Sequence, residues 1–162
     1  MNSHSMEAGP LPAHTSMATL DDVENDLTLA SGGGACVLLT ADPMSALTAT
    51  REIVSRSCTS RKVIDVLDCH TTDAAALRVA LCDQILSPPF PGDGCSALLI
   101  REVHALAPAD QTLLANLLET LRFGGARRVF ASSSVSLFQR VRAGSFDERL
   151  FYRLNVIHII VN

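Results

Sequence analysis

The sequence predicts an α/β fold, a parallel sheet covered by helices on both faces. Two observations carry this. Short aliphatic or β-branched runs alternate with segments of helical periodicity from Cys36 to Val161. Those runs show little polar alternation inside them, so both faces of the sheet they build must be covered, as in parallel α/β sheets. Composition agrees, because 48% hydrophobic against 19% charged residues excludes a disordered chain. A chain of 162 residues fits one domain and buries enough surface to fold without a disulfide or a structural metal.

The elements follow in order. Residues 1–19, rich in Pro, Ser, His and Met and without a sustained period, read as a flexible leader, and residues 20–162 as the core. Residues 20–29 suit a short helix, with Asp21-Asp22 at its start, where acidic side chains meet the helix dipole favourably. The run Ser31-Gly32-Gly33-Gly34 breaks it. Residues 36–40 (CVLLT) form a buried strand, and residues 44–57 a helix with Leu47, Ile53 and Val54 on its apolar side. A second strand spans 63–67 (VIDVL) and a helix 73–85; the turn-rich SPPFPGDG (87–94) then leads to a third strand at 97–100 (ALLI). The strongest helical period is at 109–121, where Leu113, Leu114, Leu117, Leu118 and Leu121 recur behind Pro108, a residue tolerated at a helix start. A fourth strand at 128–132, a short helix near 135–143 and a fifth strand at 156–161 complete the sheet. The last strand runs to within one residue of the end, so a fragment or trimmed chain is expected.

Charge and cysteine usage exclude several function classes. The net charge is −4, and the arginines are dispersed except for Arg127-Arg128 and the loose set Arg140, Arg142, Arg149 and Arg153. That field is too weak for a general nucleic-acid face, so no direct DNA contact is expected. The five cysteines, Cys36, Cys58, Cys69, Cys82 and Cys95, are odd in number and never in a CxxC pair, which argues for reduced buried thiols. His70, His104 and His158 fall on a strand end, a post-strand loop and a strand, and as scattered positions they predict no metal site. No apolar run approaches the roughly 20 residues that span a bilayer, and the N-terminus lacks a signal pattern, so a cytoplasmic location is expected.

Phosphate-binding α/β domains carry a Gly-rich loop with a Lys between the first strand and the next helix, so that backbone N–H groups and an ammonium surround the phosphates. Here that slot reads Thr40-Ala41-Asp42-Pro43-Met44-Ser45-Ala46-Leu47-Thr48. What surrounds it is similar to the core of the sigma-54-dependent transcriptional activators, the NtrC-type AAA+ proteins of bacteria, which carry TGESGTGKE there. VIDVLDC (63–69) resembles their second strand, which ends in Asn-Cys. ALLIREVHAL (97–106) resembles the Walker B strand TLFLDEIGDL, and Asp110-Gln111-Thr112-Leu113-Leu114 continues it as the family's DAQ-x-x-LL does. RVFASSS (128–134) resembles the sensor strand RVIAATN, and AGSFDERLFYRLNV (143–156) the family's AG-x-FREDLYYRLNV. The resemblance implies a three-layer P-loop NTPase-like subdomain with a central five-stranded parallel sheet. It also implies a helical lid and a helix-turn-helix, neither of which is expected within residues 20–162.

The departures bear on the chemistry. The family's P-loop Lys contacts the terminal phosphates. Its position here is Leu47; the three glycines become Ala41, Met44 and Ala46, and Pro43 removes a donor. The cofactor-binding positions carried over from the family are Thr40, Ala41, Asp42, Ser45, Leu47 and Thr48, all in a degenerate loop. ATP and Mg²⁺ belong to the family, and no cofactor is expected here. Arg101 stands at the Walker B Asp position, leaving Glu102 as a vestigial catalytic carboxylate, read as solvated or salt-bridged more than as a working base. Ser134 takes the sensor Asn position. Arg153 matches the second arginine finger, open to an interface or a structural role; the first falls on Asp147, and Arg149 takes the family's Asp, a charge swap within one turn. The family's GAFTGA insertion, which contacts sigma-54, has no counterpart between Cys69 and Ala97.

Three functions are compatible with these residues. The first is a non-hydrolysing transcription-regulatory module of a sigma-54-type regulator or response regulator, acting through protein contacts. The second is an ATPase with an altered nucleotide loop, supported by Glu102 and Arg153. The third is a stand-alone protein that modulates rings of an intact AAA+ homologue. The partners implied are proteins: a second copy of the chain, an intact homologue, or RNA polymerase with sigma-54.

Overall fold

The computed structural model describes residue 25 and residues 36–57, 62–86, 95–121 and 128–161. The predicted leader, the glycine break, the turn-rich 87–94 and all of the predicted helix at 20–29 except the helical Asn25 lie outside the described residues. So do Cys58 and Arg127.

The elements are β1 (Val37–Thr40), α1 (Pro43–Ser57), β2 (Lys62–Asp68), α2 (Ala74–Leu86), β3 (Cys95–Arg101), a 3-10 turn (Val103–Ala105), α3 (Pro108–Leu121), β4 (Arg128–Ser133), α4 (Leu137–Arg142), α5 (Glu148–Leu154) and β5 (Ile157–Ile160). The strands form one sheet in the order β2-β3-β4-β1-β5, and every neighbouring pair is parallel. The predicted α/β class with a five-stranded parallel sheet is therefore the observed one. Strand β1 lies between β4 and β5, so all connections are crossovers, and helices fall on both faces.

Side chains alternate across the sheet and divide the core in two. Val37, Leu39, Ala97, Leu99, Phe130 and Ile159 meet Ala46, Ile53 and Val54 of α1 on one face. On the other, Leu38, Leu98, Ile100, Val129 and Ala131 pack on Leu77, Leu81 and Ile85 of α2, Leu114 and Leu118 of α3, and Leu150 and Leu154 of α5. The edge strands β2 and β5 are the exceptions, with Val66 43% and Ile160 50% exposed. Of the cysteines, Cys69 is buried, whereas Cys36 and Cys82 are only half-buried, all three as free thiols.

Helix α5 is an element that the sequence pattern does not announce, seven residues long with Leu150, Phe151 and Leu154 buried on one side. Asp147 caps it, its carboxylate accepting from the Leu150 N–H at 2.6 Å. The turn before it depends on Gly144, whose φ of 70° lies in the left-handed region. There Gly144 N donates to Val141 O and Ser145 N to Arg140 O, both at 2.9 Å, which closes α4 in a Schellman motif.

Phe130 is fully buried at the centre of the sheet. Phe130→Ala is expected to destabilise the domain by about 3–5 kcal/mol in urea unfolding. Val66→Ala, on the exposed edge, is expected to stay within about 1 kcal/mol of the parent, and equal effects would contradict the core assignment.

Candidate functional site

The candidate residues gather where β1, β2, β3 and β4 end, the edge at which open parallel sheets bind ligands. At the end of β1 the chain turns into α1 within two residues. Asp42 sits before Pro43, the first helical residue, and its Oδ1 accepts from Met44 N at 2.9 Å and Ser45 N at 3.1 Å. Ser45 is the principal cause holding the Asp42 carboxyl below its ordinary value. Asp42 O accepts from Ala46 N at 2.9 Å, so helix geometry is established before Leu47 is reached. Leu47 packs against the core under α1 and Ala41 is buried. Thr40 Oγ1 bonds His158 Nε2 at 2.8 Å, and Thr48 Oγ1 donates to Met44 O at 3.1 Å.

At the end of β3, Arg101 lies opposite Asp68 in register, and their side chains form an ion pair at 3.0 Å. Glu102 follows with φ 55° and ψ 46°, left-handed for a non-glycine residue. Only 5% exposed, it is buried where a solvated carboxylate was expected. Ser134 donates its N–H to Glu102 Oε1 at 3.1 Å and its hydroxyl to Oε2 at 2.7 Å. Two of the predicted positions, the Walker B glutamate and the sensor serine, are thus joined directly.

Beside them lies a pairing that linear spacing hides. Because Asp68 and Arg101 are register partners, the turns after β2 and β3 leave the sheet together. His70 and His104, scattered in the sequence, therefore meet edge-on with ring centroids 5.3 Å apart, and one ligand atom from each of His70, Glu102 and His104 lies within 4.8 Å of the others. The expectation of scattered histidines is corrected for this pair; His158 remains with Thr40 on β1. His104 Nδ1 is 3.1 Å from Ser133 Oγ and 3.7 Å from Glu102 Oε2. Ser133 Oγ also donates to Val135 O at 2.7 Å. Burial, more than any neighbouring charge, pushes the His104 pKa down, with Glu102 opposing the shift. Burial also pushes the Cys69 thiol up to about 12, with Asp68, Glu102 and Asp110 adding to it.

Arg153 stands apart from this edge. On α5 it pairs at 3.1 Å with Glu119 of α3, which Arg149 also engages. The Glu119 carboxyl is held below its ordinary value, Arg153 being the main cause. Asp147, at the first arginine-finger position, is the α5 cap already described, and its N–H donates to Gln111 Oε1 at 2.7 Å. Gln111 Nε2 donates to Leu106 O at 2.8 Å, while the buried Asp110 pairs with Arg78 of α2. The motif Asp110-Gln111 therefore braces α2, α3 and the start of α5.

Among the described residues no helix is long and apolar enough to cross a membrane. The profile of the Sigma-54 interaction domain family matches residues 16–161. A search of the curated proteins finds no match. Among solved structures, NtrX from Brucella abortus in complex with ATP superposes with TM-score 0.68 at 18% identity, covering 95% of this chain and 39% of NtrX. The P-loop NTPase domain of an E. coli sigma-54 activator gives TM-score 0.60 at 17% identity over 87% of this chain and 92% of that domain. A single-substitution variant of RuvB from Thermotoga maritima gives 0.60 at 18% over 90% of this chain and 46% of RuvB. At these identities the likenesses speak for the fold. With the family profile covering nearly the whole described core, the chain belongs to the Sigma-54 interaction domain family.

Proposed function

We propose that this chain is a transcription-regulatory module related to the sigma-54-dependent activators, one that acts through protein contacts and does not hydrolyse ATP. The observation that carries the reading is the Asp42 carboxylate seated on the Met44 and Ser45 amides at the start of α1. A helix N-terminus after the first strand is where a P-loop fold receives phosphate, by free N–H groups and dipole. Here an internal anion takes those donors and would repel a second one.

The other parts of a Mg-ATP site fit no better. Leu47 contributes packing instead of an ammonium. Arg101 sets a cation, paired to Asp68, where a metal-holding carboxylate belongs. Glu102, the residue on which an ATPase reading depends, has both oxygens bonded to Ser134. Arg153 is turned to Glu119 of its own chain, which also weakens the reading in which it reaches into a neighbouring ring subunit. By contrast, the retained motif Asp110-Gln111 and the turn at Gly144 hold helices in place, as a domain kept for its shape requires. The partners of this reading are proteins: another copy, an intact homologue, or the sigma-54 polymerase.

Isothermal titration with Mg-ATP should show no binding at micromolar concentrations, and phosphate-release assays no turnover. Leu47→Lys alone should not restore either, because Asp42 still occupies the helix start. Micromolar binding with turnover in the parent protein would overturn the proposal.

Asp42→Ala should lower Tm at neutral pH by removing the cap. The folded-state pKa of Asp42 is depressed, so its contribution is present above the unfolded carboxyl value, 3.8, and is lost as pH falls through the folded value. Melts of parent and variant should differ at pH 7 and converge toward pH 3; a difference independent of pH would show that the carboxylate is not the cap.

A further inference from the structure

We propose that His70, His104 and Glu102 form a three-ligand binding site for a borderline divalent transition cation of the Zn²⁺ class. Their ligand atoms already lie within 4.8 Å of one another. The donor set, two imidazoles and one carboxylate, suits zinc and its neighbours in the first transition row; Mg²⁺ prefers oxygen ligands alone. Three protein ligands leave a fourth position for water or a partner's side chain.

Two of the three ligands are held in place before any metal arrives. Ser134 fixes the Glu102 carboxylate with two hydrogen bonds. A carboxylate offers about four acceptor sites, so lone pairs remain for a metal. Ser133 holds the His104 ring through Nδ1 at 3.1 Å, the nitrogen that also faces Glu102 at 3.7 Å. Outer partners of this kind orient ligands in metal sites generally.

The third ligand supplies the adjustment. Zn–N and Zn–O bonds of about 2.0–2.2 Å in a tetrahedron set the donors roughly 3.4 Å apart, closer than the present limit. His70 lies exposed in the turn after β2, where its backbone N–H is anchored on Asp68 Oδ1 at 2.9 Å. Its ring takes no hydrogen bond among the described residues and can swing inward. The same exposure gives the ion a path from solvent. Among the charges around the site, Asp68 offsets Arg101, Arg140 acts on His104 as an opposing cation, and Glu102 supplies the attraction.

A bound cation would tie together the ends of β2 and β3 directly and that of β4 through Ser133 and Ser134. It would give the module a ligand input independent of nucleotide, and the inference does not rest on the fate of ATP.

The test is titration of the metal-free full chain with Zn²⁺ against a chromophoric chelator, with Co²⁺ as a spectroscopic stand-in. One equivalent should bind, raising Tm, with visible cobalt bands and no thiolate charge-transfer absorption. His70→Ala, exposed and so neutral for the fold, should weaken binding by more than about tenfold and abolish the Tm rise; Ser133→Ala should weaken it by about 10–100-fold. His158→Ala should leave it unchanged. No binding, equal binding by His70→Ala, or a strong sulfur-to-cobalt band marking cysteine ligation would each overturn the site.

Discussion

A carboxylate that almost no water reaches organises the functional edge of this domain. Burying Glu102 is costly unless its charge is met by donors. The backbone there also adopts a left-handed conformation, a strain of about 1–3 kcal/mol for a residue with a side chain. That twist turns the side chain from the end of β3 toward β4, where Ser134 meets both oxygens. Hydrogen bonds to a charged group contribute about 1.5–3 kcal/mol each, so two of them suffice to offset the strain. The strand ends are thereby locked together, and the placement of Ser133, and through it His104, follows from the same lock.

Around that lock the family's lost residues have not left blanks. Four of the replacements have a partner suited to them. Arg101, at a position that calls for a carboxylate, finds one across the register in Asp68. Asp147, at a position that calls for an arginine, becomes a helix cap. Asp42 caps α1 with the amides that a phosphate would use, and Leu47 exchanges an ammonium for core packing.

The inner strands were legible because burial on both faces favours aliphatic runs, and α1 and α3 because their apolar positions recur at helical spacing. Helix α5 was hidden by its length, since two turns or fewer give periodicity too little to repeat. The departure from a Gly-rich, Lys-bearing loop could be read from Leu47 and Pro43. Its replacement could have been read as well, since Asp42 before Pro43 is a helix-start signal; only the structure shows the carboxylate on the amides. The histidine pair was illegible for a different reason. His70 and His104 are distant in sequence, and nothing local marks either; they become neighbours through the β2–β3 register, a non-local property.

That register also explains why the turns at this edge come together. In a parallel sheet every strand points its carboxyl end the same way, so the turns after β2, β3 and β4 converge whatever residues they carry. The backbone sets the convergence; the side chains decide what is held there. The Asp42 carboxylate takes the first amides of α1 at the end of β1, while two imidazoles and one carboxylate stand beyond β2 and β3, the donor set proposed above for a cation. The ligand class that such an edge receives depends on residues at turn positions, where the core does not constrain identity.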